Sequence, residues 1–251
     1  MIGLLGRKLG MTQIFDGEGR QVPLTLLQVG PCYVTALRSQ EKNGYTAVQL
    51  GFDGTGKEKS MNAARVGTFK KLKVPLLRFV REFRTPSTEG LELAAQLSPA
   101  QFEEGDFVDV SGVSIGKGFQ GVVKRHHFKG GTGGRGTKMG REPGGIGSKA
   151  GGNGCRKKVP KGKRLPGHMG QDFVTVQNLK VIKVDADNNL LAVRGAVPGP
   201  EGTYLEIRMA LKRASKDRKW QVLDKNVEKA SAKSSSETSG QSESKSEDSK
   251  S

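Results

Sequence analysis

The sequence predicts a mainly β protein whose body carries a long irregular basic extension and a small helical insertion. Three observations lead to this fold class. Short runs of β-forming residues recur between turn residues, a tract of 55 residues is dominated by glycine and cations, and one basic segment contains irregularly spaced apolar residues. The spacing of the short runs indicates a barrel or a sandwich.

The β-type runs fall into two groups, one on each side of the glycine-rich tract. The first group comprises residues 11–15, 22–29, 33–38, 45–52, 79–83 and 107–115. The second group comprises residues 174–176, 181–184, 190–193 and 204–209. We therefore predict a discontinuous β body, residues 1–115 and 171–214. An irregular or helical insertion is expected at about 57–78, where Val66, Phe69 and Leu72 lie among basic residues.

The tract between the two groups has the composition of an arm. Residues 116–170 contain 18 glycines and 14 lysines or arginines against one acid, Glu142. With so little apolar surface to offset its conformational entropy, this tract is expected to be disordered alone and to order only on a partner. Extended out and back, it would reach roughly 80–90 Å at most. Residues 215–251, rich in Ser, Lys and Glu, are expected to form a disordered tail.

The charge of the chain predicts a polyanionic partner. Lysine and arginine number 42 against 25 acids, which gives a formal net charge of +17 and a pI near 10.0. Such a protein repels itself until nucleic acid or an anionic surface neutralises it. No apolar run approaches the roughly 18–20 residues of a membrane span, and the first residues are too briefly apolar for a signal peptide, so we expect a cytosolic protein.

Two motifs resemble phosphate-binding loops. Residues 116–121 fit GxGxxG, but a glycine pair at 130–131 follows before a crossover helix can form. Residues 131–138 nearly match a P-loop, but Thr137 and Lys138 are in the wrong order. We predict no nucleotide or other cofactor and no small-molecule substrate. An enzyme that uses the first motif, and a membrane-surface or chromatin-like binder, remain the rival classes.

Metal binding and catalysis are weakly supported. Three histidines and Cys155 match no usual zinc spacing, and Cys32 and Cys155 form no CxxC pair and are expected to be free thiols. General acid–base catalysis needs acids near histidines, whereas the histidine-bearing tract has only Glu142. We predict no metal ligand and no catalytic residue.

The arm instead supplies candidate RNA contacts. Its densest run, residues 156–164, combines cations with glycine and proline, which prevent a regular helix and allow the backbone to approach phosphates. The histidines of the arm are candidates for sugar and phosphate contacts. The predicted RNA-binding residues are Lys117, Lys124, Arg125, His126, His127, Lys129, Arg135, Lys138, Arg141, Lys149, Arg156, Lys157, Lys158, Lys161, Lys163, Arg164 and His168.

Five segments resemble a known family in the right order. They are residues 3–15 (GLLGRKLGMTQIF), 114–125 (SIGKGFQGVVKR), 143–147 (PGGIG), 162–170 (GKRLPGHMG) and 195–199 (GAVPG). Across about residues 1–212 the chain resembles the bacterial-type large-subunit ribosomal protein L-three family. The resemblance implies a six-stranded β-barrel and a structural role in the large ribosomal subunit, with large-subunit ribosomal RNA and neighbouring ribosomal proteins as partners. It also implies an early role in assembly and an extension towards the peptidyl transferase centre.

The resemblance implies further details at the tip of the extension. The expected tip residues are Gly144, Gly145, Ile146, Gly147, Ser148, Lys149 and Ala150. Some bacterial relatives carry a glutamine after the Gly-Ile-Gly turn that becomes methylated, and this chain has Ser148-Lys149-Ala150 there, so we predict no such modification. Residues 151–158 look like an insertion relative to the family. The expected location is the large subunit of a cytoplasmic ribosome, with a plastid origin left open.

Overall fold

A computed structural model describes residues 3–55, 57–86, 88, 90–145, 159 and 161–213. The strands are β1 (Gly3–Phe15), β2 (Gln21–Val29), β3 (Cys32–Arg38), β4 (Ala47–Gly54), β5 (Leu77–Arg84), β6 (Gln96–Leu97), β7 (Phe107–Val113), β8 (Gly118–Gln120), β9 (Gly167–Met169), β10 (Phe173–Asp185), β11 (Leu190–Arg194) and β12 (Tyr204–Met209). The α-helices are α1 (Gln40–Asn43), α2 (Ala63–Leu72) and α3 (Val122–His126), and 3-10 turns lie at Glu58–Ser60 and Pro99–Gln101.

Six antiparallel strands close into a barrel in the order β1-β12-β7-β10-β11-β2. The predicted six-stranded barrel is therefore confirmed. Strand β1 closes it, because its first half pairs with β12 (Gly3↔Arg208) and its second half pairs with β2 (Phe15↔Gln21). Since three of the six strands precede the arm and three follow it, the barrel joins distant parts of the chain.

The remaining body strands form a second sheet, in the order β5-β4-β3-β6. The sequence pattern did not separate this sheet from the barrel, because alternation and turn spacing say which residues are buried but not which strands pair. The two sheets share one hydrophobic core, in which Leu27 and Ile207 of the barrel join Leu50 and Phe83 of the second sheet.

The helical insertion is also confirmed and lies between β4 and β5. Helix α2 buries Phe69 against Val74 and Leu77, which form a small second core. The guanidinium of Arg65 lies over the Phe69 ring, 6.0 Å from its centroid. The helix ends at Leu72 and is capped by Lys73, which adopts a left-handed conformation with φ of 56°.

Strands β1 and β10 exceed their predicted lengths by the most. Strand β1 begins at Gly3 rather than at residue 11, because its glycines interrupt the apolar alternation. Gly3 lies directly under the Phe83 ring, where a Cβ would collide. Strand β10 unites two predicted runs through a bulge, where Asn178 has φ of 57° and donates its backbone N–H to Asp109 Oδ1 at 2.8 Å.

Three segments leave the barrel at the same end. They are the hairpin that joins β1 to β2, the loop 195–203, and the segment that begins after β7 and returns at β10. The ammonium of Lys8, in β1, holds the loop 195–203 against that strand, since it donates to the carbonyls of Val197 at 3.1 Å and Gly199 at 2.9 Å. The basic segment therefore leaves the barrel at an end where Lys8 holds a neighbouring loop in place. Within the described residues, no helix is both long enough and apolar enough to cross a membrane.

Candidate RNA-binding extension

The extension leaves the barrel as a two-stranded ribbon. The ladder of β7 and β10 continues beyond Val113 through the Ser114 N–H, which donates to the Asp172 carbonyl at 2.9 Å, and the Lys117 N–H, which donates to Met169 at 2.9 Å. Strands β8 and β9 then pair from Gly118↔Met169 to Gln120↔Gly167. Gly170 has φ of 77°, and a Cβ there would collide with the Ile115 carbonyl oxygen, so this position requires glycine.

A short helix braces the ribbon. Helix α3 buries Val122, and two of its side chains, Arg125 and His126, reach across to the returning chain just before β9. Arg125 Nη1 donates to the Leu165 carbonyl at 2.9 Å, and His126 Nε2 lies 3.1 Å from the same oxygen. Because a carbonyl only accepts, Nε2 carries the proton in this arrangement.

This root corrects one expectation from the sequence. The whole of residues 116–170 was expected to lack structure without a partner, but residues 116–128 and 165–170 contain a ribbon and a helix. The reason is that the backbone ladder of the barrel continues into the segment and that Val122 supplies one buried apolar side chain, 1% exposed. Of the predicted RNA contacts, Arg125 and His126 are half-buried and hold the root together.

Beyond the root, residues 129–145 fold back through turns. The Gly134 N–H donates to the Thr132 carbonyl at 3.0 Å, and the Thr137 hydroxyl donates to the same carbonyl at 3.1 Å. Lys163 Nζ donates to the carbonyl of Gly145 at 3.3 Å, which links the outgoing and returning chains. The acceptors are backbone carbonyls, and Lys163 is the one cationic side chain that these contacts use.

Most of the predicted RNA contacts in the described part of the extension are exposed. No ion pair within 4.0 Å involves a lysine or arginine among described residues 116–145, 159 and 161–170. The one acid of the tract, Glu142, is itself exposed. The exposed candidates are Lys117, Lys124, His127, Lys129, Arg135, Lys138, Arg141, Lys161, Lys163, Arg164 and His168. This cationic surface offers phosphate-binding groups without internal competition.

Some predicted residues fall outside the description. Of the expected tip, Gly144 and Gly145 are described and exposed. The other predicted tip and contact residues lie outside the described residues: Ile146, Gly147, Ser148, Lys149, Ala150, Arg156, Lys157 and Lys158. The tail 215–251 and Cys155 also lie outside them.

The GxGxxG motif occupies the ribbon rather than a loop over a ligand. The Lys117 N–H is bonded to Met169, residues 118–120 pair with 167–169, and the helix that follows has five residues. A dinucleotide-binding turn needs free N–H groups at the start of a long helix. In the described residues, no cluster of three His, Cys, Asp or Glu side chains is suitable for a metal ion.

Sequence reasoning missed Phe119. Its side chain is 76% exposed, the largest value for a large apolar side chain in the described part of the chain. It lies in β8 opposite His168. Strand β8 has three residues, which is too short for an alternating pattern to be recognised in the sequence. The sequence therefore did not indicate that this ring faces outward.

Comparison with known proteins gives the family. The family model for ribosomal protein L3 matches residues 87–189. Large ribosomal subunit protein uL3 of Pelotomaculum thermopropionicum is 48% identical over 210 residues, which cover 84% of this chain and 97% of the relative. The uL3 of Brachyspira hyodysenteriae is 40% identical over 216 residues, or 86% of this chain and 97% of the relative.

The chain belongs to the ribosomal protein L3 family. It is accordingly a structural constituent of the large ribosomal subunit and not an enzyme. Large ribosomal subunit protein uL3c of Guillardia theta is 45% identical over 207 residues, which cover 82% of this chain and 99% of that protein. The L3 relatives align with the barrel and the arm together, since the matched length exceeds either part.

Proposed function

We propose that this L3 protein binds large-subunit ribosomal RNA through residues 116–170, with the barrel fixing the position from which the arm extends. The observation that carries this proposal is the set of exposed cations on the arm, which have no acidic partner among the described residues. At such a density, the positive charges of the arm repel one another until a polyanion such as RNA neutralises them. Binding also releases the cations that were condensed on the RNA. The hydrogen bonds at the base of the arm support separate roles for the barrel, which sets the position, and for the arm, which contacts the RNA.

Salt dependence tests this proposal. Binding of the full chain to large-subunit RNA should weaken steeply with salt, since each neutralised phosphate contributes roughly −0.7 to −0.9 to the log–log slope. Six or more contacts are expected. A slope shallower than about −2 in a filter-binding titration would contradict this role of the arm.

A charge-matched pair of variants locates the contacts. Replacing four exposed arm cations by glutamine (Lys129, Arg135, Lys138 and Arg141) should flatten the slope by about 3. The control replaces four exposed lysines of the body, Lys42, Lys57, Lys59 and Lys71, and removes the same charge. Equal losses in the two variants would mean that net charge alone, and not the arm, determines binding.

We further propose that the arm extends towards the peptidyl transferase centre and that the protein acts early in assembly. Replacing residues 145–158 by a short Gly-Ser link removes Lys149, Arg156, Lys157 and Lys158. The melting temperature of the free protein should hardly change, because a shorter loop costs no more closure entropy. Ribosomes that carry the variant should react more slowly with puromycin or accumulate late precursors. A large fall in melting temperature with normal ribosomes would contradict this division of labour.

The order of assembly has its own test. In a pulse-labelled culture, the protein should enter the first large-subunit precursors resolved on a sucrose gradient. Depletion of the protein should reduce those precursors rather than the late ones. Incorporation only into the late particles would remove the early role and leave the RNA-binding proposal intact.

A further inference from the structure

The ribbon of the arm has one covered face and one open face. Arg125 lies against Gly167, where a Cβ would collide with its guanidinium, so α3 covers the face to which residue 167 points. Neighbouring residues of a strand point to opposite faces. His168, and Phe119 directly across from it, therefore project from the open face.

The backbone that carries Phe119 is held in the ribbon, while its ring is exposed. The Lys117–Met169 hydrogen bond lies on one side of it, and the Arg125–Leu165 hydrogen bond braces the ribbon on the other. At 76% exposure, the ring adds little to the stability of the ribbon. An exposed aromatic ring on a backbone fixed by strand pairing is suited to a partner that stacks on it.

The surroundings of Phe119 favour a nucleobase over an apolar protein surface. Lys117 and Lys124 are exposed close to it in sequence, and Glu142 is the one acid of the whole arm. Base stacking on an aromatic side chain beside cations is the usual arrangement in binding sites for single-stranded RNA. A protein partner would require a wider apolar area than Phe119 provides, and the exposed Ile115 and Phe173 lie towards the barrel end of the ladder.

We propose that Phe119 and His168 form a platform on which one unpaired base of the bound RNA stacks. This inference rests on the proposed RNA-binding function and adds a specific contact to it. Lys117, two residues before Phe119 and exposed, would hold a phosphate of the same nucleotide segment. Stacking does not depend on charge, so its contribution is separable from that of the cations.

Affinity measurements with the full chain test the platform. Phe119→Leu should weaken binding to large-subunit RNA about tenfold with an unchanged salt slope. Phe119→Trp keeps an aromatic ring and should bind like the wild type. The matched control is Phe15→Leu, because Phe15 is 69% exposed but lies beside Asp16 and near Glu18. That variant should bind like the wild type.

The outcomes separate the two proposals. If the wild type binds with a steep salt slope and Phe119→Leu binds equally well, the platform is wrong and the RNA-binding arm stands. If the wild type lacks the steep slope, the RNA-binding proposal fails and the platform fails with it. If Phe119→Leu flattens the salt dependence of binding, the ring acts by positioning the cations and the platform is wrong.

Crosslinking in assembled subunits identifies the class of partner. With p-benzoylphenylalanine at position 119 of the full chain, irradiated large subunits should yield an adduct that ribonuclease reduces to a nucleotide. An adduct with a ribosomal protein, or the absence of any adduct, would overturn the platform. The same reagent at position 15 serves as the comparison for an equally exposed ring.

Discussion

The ammonium of Lys8 donates a hydrogen bond of 2.9 Å to the backbone carbonyl of Gly199. Lys8 is 8% exposed, and it also donates to Val197 at 3.1 Å. The Lys8 N–H donates to Thr203, and the Lys8 carbonyl accepts from Gly202. One residue of the first strand therefore contacts four positions of the loop 195–203, at the end of the barrel from which the arm emerges.

Replacing Lys8 by methionine should lower the free energy of unfolding by about 1–3 kcal/mol, since two carbonyls lose a charged donor. The loss should stay below that of a broken buried ion pair, because the substitution also removes a buried charge. Chemical denaturation measures the change. Lys180→Met, at an exposed position of β10, should change stability by less than about 0.5 kcal/mol. Equal effects would mean that Lys8 does not hold the loop.

Replacing Gly170 by alanine should loosen the root of the arm. The left-handed conformation costs a side chain roughly 1–2 kcal/mol, and the Cβ would also meet the Ile115 carbonyl. We expect faster hydrogen exchange at the Lys117 N–H, which bonds to Met169, and weaker RNA binding, while the barrel melts almost normally. Gly121→Ala, with φ of −70° and open space, is the control. Unchanged exchange in Gly170→Ala would disprove the ribbon geometry.

Cys32 should resist thiol reagents in the folded protein. Burial raises the pKa of its thiol to about 12, and Sγ lies 3.3 Å from the Leu5 carbonyl. In a Cys155→Ser variant, labelling at pH 8 should be absent until guanidinium unfolds the chain. The unfolded variant shows that the reagent reacts normally. Rapid labelling of the native variant would place Cys32 outside the core.

Tyr204 should couple the barrel to the second sheet. Its hydroxyl donates to Asp53 Oδ2 at 2.6 Å, and its ring stacks on Phe79 with centroids 4.9 Å apart. Tyr204→Phe keeps the stack and should cost about 1 kcal/mol at pH 8. Tyr33→Phe, on the second sheet, is the control.

The effect of Tyr204 should depend on pH. Burial, followed by the bond to Asp53, raises the pKa of Tyr204, so its contribution is complete below the unfolded pKa of about 10. That contribution is lost as pH rises through the higher folded pKa. The difference in unfolding free energy between wild type and Tyr204→Phe should therefore shrink above pH 10. A constant difference would contradict the hydroxyl–carboxylate bond.

Truncation after Ala214 should leave folding and incorporation into large subunits intact. Residues 215–251 contain one aromatic residue, Trp220, and are dominated by Ser, Lys and Glu, so they offer little apolar surface to bury. A sucrose gradient compares the truncated and full proteins. Exclusion of the truncated protein from large subunits would identify the tail as a docking element.

The sequence by itself determined the mainly β class, the helical insertion, the location of the basic arm and the family. These properties depend on local composition, alternation and motif order, which need no knowledge of distant neighbours. Strand β12, for example, was predicted with its observed bounds, Tyr204–Met209, because it alternates without glycine or a bulge. The arm was evident because one acid stands against 14 cations.

Only the tertiary structure decided which strands pair and which side chains of the arm remain free. The division into a barrel and a second sheet follows from contacts such as Gly3 with Phe83, which lie 80 residues apart in sequence. Arg125 and Lys124 are equally cationic in the sequence, yet Arg125 is bonded to Leu165 and Lys124 is exposed. The physical reason is that pairing and exposure depend on what the rest of the chain brings to each residue. A local pattern specifies what a side chain can do, and its neighbours in space decide what it does.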